Sequence, residues 1–287
     1  MSADLESLKQ WIGRTETAID YVTVPAVNRL SATLDRDDAF PKMGDPLPVG
    51  WHAILFPRIA RHSQIGADGH PQRGDFLPPV PLPRRMFAGK RTTFVAPLLV
   101  GDEVHRESVI QNVTIKDGRS GRMVFVTVKT DIRSPRGIAI TEENDYVYRG
   151  EPDRNVQSAA PPQPAQAAPG KAVWTHQVTP DPVLLFRYSA LTFNGHRIHY
   201  DKPYVTGTEG YPDLVMNGGL TTLLTYELAR THGSTPIRFM SSRNVRALFV
   251  NRTVTFCGEP SIDNKTAKLW AQDDTGAVAL IADAEFA

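Results

Sequence analysis

A stretch near the middle of the chain, Asn155 to Gly170, carries no charged residue and gathers Pro161, Pro162, Pro164 and Pro169 among alanines and glutamines. Proline locks φ and removes a backbone donor, so such a run favours extended polyproline II over helix or central strand. It reads as a connector, and it cuts the 287 residues into near-equal halves, each of ordinary domain size. The expected organisation is a first unit over 1–154, a linker over 155–172 and a second unit over 173–287. A long surface loop inside one domain is the alternative, at odds with how rarely compact domains hold unstructured loops of this length.

Both halves run in the same order. A helical start, Leu5 to Ile12, opens the first. The Pro-dense run Leu77 to Pro83, unfit for helix or central strand, follows. Three strand-like runs come next, Glu103 to Lys116, Arg122 to Arg133 and Ile138 to Tyr148, separated by the turn sequences Asp117 to Gly121 and Ser134 to Gly137. In the second half Gly218 to His232 places Leu220, Leu223, Leu224 and Leu228 on one helical face, with Gly233 at the stop position. Three strands again follow, Arg252 to Phe256, Thr266 to Gln272 and Val278 to Phe286, and Val100 to Glu103 has a counterpart in Phe256 to Glu259. The pattern predicts an α+β fold made by duplicating one helix on an antiparallel sheet.

Composition removes whole classes of function. With 32 basic against 31 acidic side chains and a formal charge of +1, no overall field is available to hold a polyanion, so nucleic acid is not an expected partner. The single cysteine, Cys257, excludes an intrachain disulfide and a cysteine-rich metal site, and fits a reducing cytoplasm. The polar start lacks an apolar core, and no stretch reaches the ~18 apolar residues of a membrane span. Neither a Gly-x-Gly-x-x-Gly fingerprint nor a Walker phosphate loop occurs, so no redox or nucleotide cofactor is implied.

Chemistry-bearing residues concentrate between Phe186 and Leu220. His196 and His199 lie three apart with only Asp201 nearby, which is no closed ligand set, and an acid/base histidine is the favoured reading over a metal. Gly218 and Gly219 open the leucine-faced helix, whose unpaired N–H groups and partial positive charge suit an oxygen acquiring negative charge. Close helix packing is the bland account of the same glycines.

At these residues the chain resembles the MaoC-like hydratases and dehydratases of double-hotdog fold. The family pattern Asp-x-Asn-Pro-Ile-His-x-Asp aligns with Asn194-Gly195-His196-Arg197-Ile198-His199-Tyr200-Asp201. The longer run from Phe186 to Asp201, followed by Glu209-Gly210-Tyr211-Pro212, is similar to mesaconyl-CoA, itaconyl-CoA and 3-methylfumaryl-CoA hydratases and to fungal and mitochondrial acyl-thioester dehydratases. Met86 to Gly89 and Pro97 to Asp102 resemble the amino-terminal hotdog of the same proteins.

The resemblance implies two helix-wrapped sheets side by side, an acyl chain threading between them, and one active site, in the second half. It implies reversible addition of water to a 2-enoyl-CoA, short, branched or dicarboxylic, with coenzyme A as part of the substrate and no resident cofactor. His199 is then the acid/base, Asn194 the holder of water, and the N–H groups of Gly218 and Gly219 the receiver of the thioester oxygen. The family's acid at position 194 is an amide here and cannot take a proton at neutral pH, which leaves Glu209, Asp201 or His196 as helpers. Gly219 stands where relatives often have proline. Arg187 and Arg197 are expected to meet carrier phosphates or a distal carboxylate, with surface ion pairing as the alternative, and Tyr200 is grouped with them as substrate-binding. A monomer or a dimer of double hotdogs fits equally. Rival readings are a 3-hydroxyacyl-ACP dehydratase, a hotdog thioesterase and a non-catalytic acyl-binding protein.

Overall fold

The computed structural model describes residues 5–72, 76–82, 84–118, 121–150 and 166–287. Most of the proposed linker, through residue 165, lies outside them. Ten strands form: β1 (Thr15–Tyr21), β2 (Arg84–Phe94), β3 (Glu103–Gly118), β4 (Gly121–Ser134), β5 (Gly137–Arg149), β6 (Trp174–Val178), β7 (Ile237–Asn244), β8 (Val254–Pro260), β9 (Thr266–Gln272) and β10 (Val278–Phe286). They pair in one sheet, in the order β1-β3-β4-β5-β2-β7-β10-β9-β8-β6. The order is the same read inward from either edge, so the second half repeats the first about the central β2–β7 pair. That pair runs antiparallel, with Lys90 opposite Ser242 and Thr93 opposite Phe239, and fuses the two halves into one ladder.

The repeat extends to single hydrogen bonds. Leu47 N donates to Leu98 O at 2.7 Å and Met216 N to Leu248 O at 2.8 Å; Gly101 N donates to Val22 O and Asn251 N to Pro180 O, both at 2.7 Å. This register corrects the expected match of Val100–Glu103 with Phe256–Glu259, since Val250 to Thr253 hold the equivalent places. Only Glu103 and Glu259 coincide between the two segments as the sequence pairs them. The left-handed slot that Gly101 fills at φ 99° is taken in the second half by Asn251 at φ 58°, asparagine being among the few other residues that tolerate it.

Among the described residues four α-helices accompany the sheet. α1 (Val24–Thr33) and α2 (Pro182–Leu191) are again equivalent, each with proline in its first turn and a side-chain cap from Thr23 or Asp181. α3 (Lys202–Gly207) is capped by Asp201, and α4 (Gly218–His232) covers the expected helix. Every residue of α4 from Leu220 to Ala229 is buried, so this is the helix that the sheet wraps.

One feature of the duplication departs from expectation. Among the described residues the first half has no counterpart of α4: at the equivalent place stands a single 3-10 turn, Trp51–Ile54, and the predicted amino-terminal helix is a 3-10 segment, Leu5–Trp11, packed on the far part of the sheet. There Leu5, Leu8, Phe76 and Val80 form a small core with Ile110, Val124 and Tyr148, so the Pro-dense run serves to cover long strands. The main core takes Trp51, Val104 and Ile132 from the first half and Leu220, Met240 and Phe256 from the second, in one cluster.

Trp51 ties the lone turn to α4. Its Nε1 donates to Glu227 Oε1 at 2.7 Å, and Arg36 and Arg230 donate to Glu227 Oε2. Trp51 is 1% exposed. Trp51→Ala is therefore expected to cost about 3–5 kcal/mol of unfolding free energy, read from a denaturant midpoint, because it opens a cavity and removes a donor from a buried carboxylate. No helix among the described residues is long and apolar enough to cross a membrane.

Candidate active site

The site begins where α2 ends. Phe193 adopts φ 51°, a left-handed turn uncommon for a bulky residue, and the chain reverses so that Asn194 N donates back to Ser189 O at 2.8 Å. Asn194 Oδ1 accepts from His196 N at 3.0 Å. With its oxygen engaged, the amide has its N–H groups left to offer.

Two residues on, the 3-10 turn Arg197–His199 sets the histidine. His199 Nδ1 lies 2.7 Å from Val215 O, and Val215 N in turn donates to Ile198 O at 2.9 Å. A carbonyl can only accept, so Nδ1 carries the proton and Nε2 holds a free lone pair. Burial lowers the His199 pKa to about 4, against the opposing pull of the Val215 carbonyl, so the imidazole is neutral at pH 7.

Val215 leads directly into Asn217, the residue before α4. The Asn217 side chain, 2% exposed, donates from Nδ2 to Ser189 Oγ at 3.1 Å and keeps Oδ1 buried without a protein partner. Behind it the helix does not cap itself with a side chain, so its first N–H groups, at Gly218 and Gly219, carry the positive end of the helix dipole. A Cβ built on Gly219 would sit 2.7 Å from the Tyr188 hydroxyl oxygen, and one on Gly218 no closer than 3.4 Å to anything. Burial raises the Tyr188 pKa, so its hydroxyl stays protonated. Gly219→Ala should consequently lower kcat/KM by ~10-fold or more by displacing that hydroxyl or the helix start, with Gly218→Ala milder; steady-state kinetics of the pair checks the order.

His199, Asn194, Asn217, Gly218 and Gly219 all face one cavity of about 420 Å³. Its opposite wall comes from the first half and includes Gly50, His52, Phe87, Lys90, Asn144 and Tyr146.

The remaining expected residues lie elsewhere. Arg187 is exposed on α2, and Tyr200 is exposed with its hydroxyl donating to Gly195 O at 2.9 Å. Arg197 pairs with Asp201 at 2.7 Å and donates to Ala67 O of the first half, and Asp201 is also the α3 cap. Glu209 is exposed and accepts from the Tyr204 hydroxyl at 3.2 Å. None of the five lines the cavity among the described residues, nor does any other carboxylate.

His196 packs against His70 of the first half, ring centroids 4.0 Å apart, and burial with that neighbour lowers its pKa to about 3. Asp68, His70 and His196 form the one group among the described residues whose potential metal-ligand atoms lie close together, within 4.8 Å. Arg197 N also donates to Asp68 O at 2.9 Å, so this first-half loop is docked on the loop carrying His199. Sequence reasoning missed Tyr188, Asn217 and the whole first-half wall. Tyr188 stood inside the quoted motif, and Asn217 before the two glycines.

A duplicated antiparallel sheet around one long helix, with a neutral histidine and an open helix start on one cavity, defines a double-hotdog hydro-lyase acting on acyl thioesters. Residues 50–250 match the family model for hydroxyacyl-thioester dehydratase type 2, and the chain belongs to that family. It is 46% identical over 275 residues, 96% of either chain, to the mesaconyl-C(4)-CoA hydratase of Chloroflexus aurantiacus, and 26% identical over 78% of its length to a mitochondrial hydroxyacyl-thioester dehydratase type 2 of Schizosaccharomyces pombe, 80% of which is covered. Among solved structures, a MaoC-like dehydratase from Phytophthora capsici superposes with TM-score 0.71 at 13% identity over 99% of both chains.

Proposed function

We propose that the chain hydrates a short 2-enoyl-CoA bearing a second carboxylate, of the mesaconyl-C(4) kind, and runs the reverse dehydration. The observation that carries this reading is the 46% identity across nearly the whole of both chains to a hydratase of that substrate, joined to the free Nε2 of His199 in the cavity.

In the hydration direction His199 Nε2 takes a proton from water while the water oxygen bonds to carbon 3. The electron pair of the double bond moves to the thioester oxygen, which the N–H groups of Gly218 and Gly219 receive; such a donor is typically worth ~3 kcal/mol of transition-state stabilisation. The enolate then collapses, and carbon 2 takes the proton from His199. One molecule of water is added and nothing is oxidised, so coenzyme A enters as substrate and no cofactor is needed. The Asn194 amide donates to the water or hydroxyl oxygen, Tyr188 stands beside the enolate oxygen, and Asn217 Oδ1 offers an acceptor to a substrate N–H. A reducing cytoplasm suits the buried Cys257 thiol.

The test follows the absorbance of the conjugated thioester, and product mass, over mesaconyl-C(4)-CoA, crotonyl-CoA and longer 3-hydroxyacyl-ACP. Gain of one water on the dicarboxylic CoA ester is expected. Free thiol without loss of the double bond would instead mean a thioesterase, and binding with no turnover an acyl-binding protein.

A further inference from the structure

We propose that Lys90 and Asn144 form a receptor in the first half for the substrate's second carboxylate, with Glu142 and His52 holding the ammonium in place from behind. The inference rests on the thioester-hydratase reading for which end of the substrate enters the cavity.

Lys90 lines the same cavity as His199 and, histidines aside, is its only charged lining side chain among the described residues. The ammonium is held from behind. Lys90 Nζ donates to Glu142 Oε1 at 2.7 Å, and His52 Nε2 and Thr92 Oγ1 donate to the same oxygen at 2.9 and 3.2 Å. Burial would raise the Glu142 pKa, but Lys90 and His52 more than offset it and hold the carboxyl ionised. The Lys90 side chain is 20% exposed and that of Glu142 9%, and Glu142 does not line the cavity. A ligand therefore meets the donors, and the carboxylate lies behind them.

Register adds a second donor. Lys90 and Asn144 are direct partners across β2 and β5, so their side chains share a face of the sheet, and Asn144 also lines the cavity. An ammonium carries three N–H bonds, of which Glu142 takes one, leaving two beside the amide of Asn144. Stability does not account for the pair, because a buried ion pair is often no better than apolar side chains of the same volume. The phosphates of coenzyme A do not account for it either, since the pantetheine arm keeps them well away from the reacting end where His199 stands. A carboxylate on carbon 3 of the acyl group is the anion that belongs within reach.

The experiment compares equilibrium binding of succinyl-CoA and butyryl-CoA, which differ by a carboxylate for a methyl on carbon 3, together with free coenzyme A. The wild-type chain is expected to prefer succinyl-CoA by ~10-fold or more, Lys90→Met to lose most of that preference, and Lys90→Arg to keep most of it. Because Lys90→Met leaves Glu142 short of a partner, the double variant Lys90→Met/Glu142→Gln repeats the measurement should the single one fail to fold. An unchanged preference in the neutral variants overturns the proposal. So does equal weakening of all three ligands, which would assign the ammonium to the carrier. Wild-type turnover of mesaconyl-C(4)-CoA judges the hydratase reading separately, since the binding contrast needs no catalysis.

Discussion

His199→Ala is expected to lose about a thousandfold or more in kcat while KM stays within a few-fold, because proton transfer occurs only in the transition state whereas the cavity wall is retained. The pH profile offers an independent reading of the same residue. Burial brings the His199 pKa from 6.5 to about 4, so the neutral, active form persists far into acid. The acid limb of kcat/KM attributable to this group is expected near pH 4 and not near 6.5. The same residue ties stability to pH: the unfolded chain binds this proton more tightly than the folded one, so its contribution is complete above the unfolded pKa of 6.5 and declines on acidification toward 4. A limb at pH 6.5, unmoved by His199→Gln, would assign the proton to another group.

The second large effect concerns the carboxy-terminal half alone. A fragment from Trp174 to Ala287 would bare the β7 edge that β2 covers from Lys90 to Thr93, and strip from Glu227 its bonds to Trp51 and Arg36. It would also cut the main core, which draws on both halves. Unpaired edges and exposed apolar surface drive association, so the fragment is expected to aggregate or self-pair and to lose about a hundredfold or more in activity. Size-exclusion chromatography with an activity assay checks this. A soluble monomer with near-native turnover would mean that the halves fold and work independently.

How much was legible beforehand depended on where meaning is encoded. α4, β9 and β10 have the bounds that periodicity and turn residues predicted, because each buries a face within its own segment. The chemistry around His199 was equally local, lying in one short run with its own motif. β6 and β7 escape a reading by pattern because they are short or polar, with sequences such as WTHQV and IRFMSSRN that become strands only when a neighbour supplies the ladder. Lys90 was opaque for the same reason. In the run RRMFAGKRTTF it reads as one more surface cation, and only sheet register sets it beside Asn144, with Glu142 beneath, some fifty residues along. The single turn at Trp51 was hidden too, since nothing in sequence announces a helix that is missing.

The short turn at Trp51, standing opposite a long helix in the second half, breaks a symmetry with consequences for how such a cavity can change. Were the two sides supplied by identical subunits, each substitution would appear on both, and any alteration of the acyl wall would also fall on the catalytic loop. Here the wall with Lys90 and the wall with His199 are written in separate stretches of one chain. On the proposed roles, mutation can then alter the Lys90 wall while the loop carrying His199 is inherited untouched.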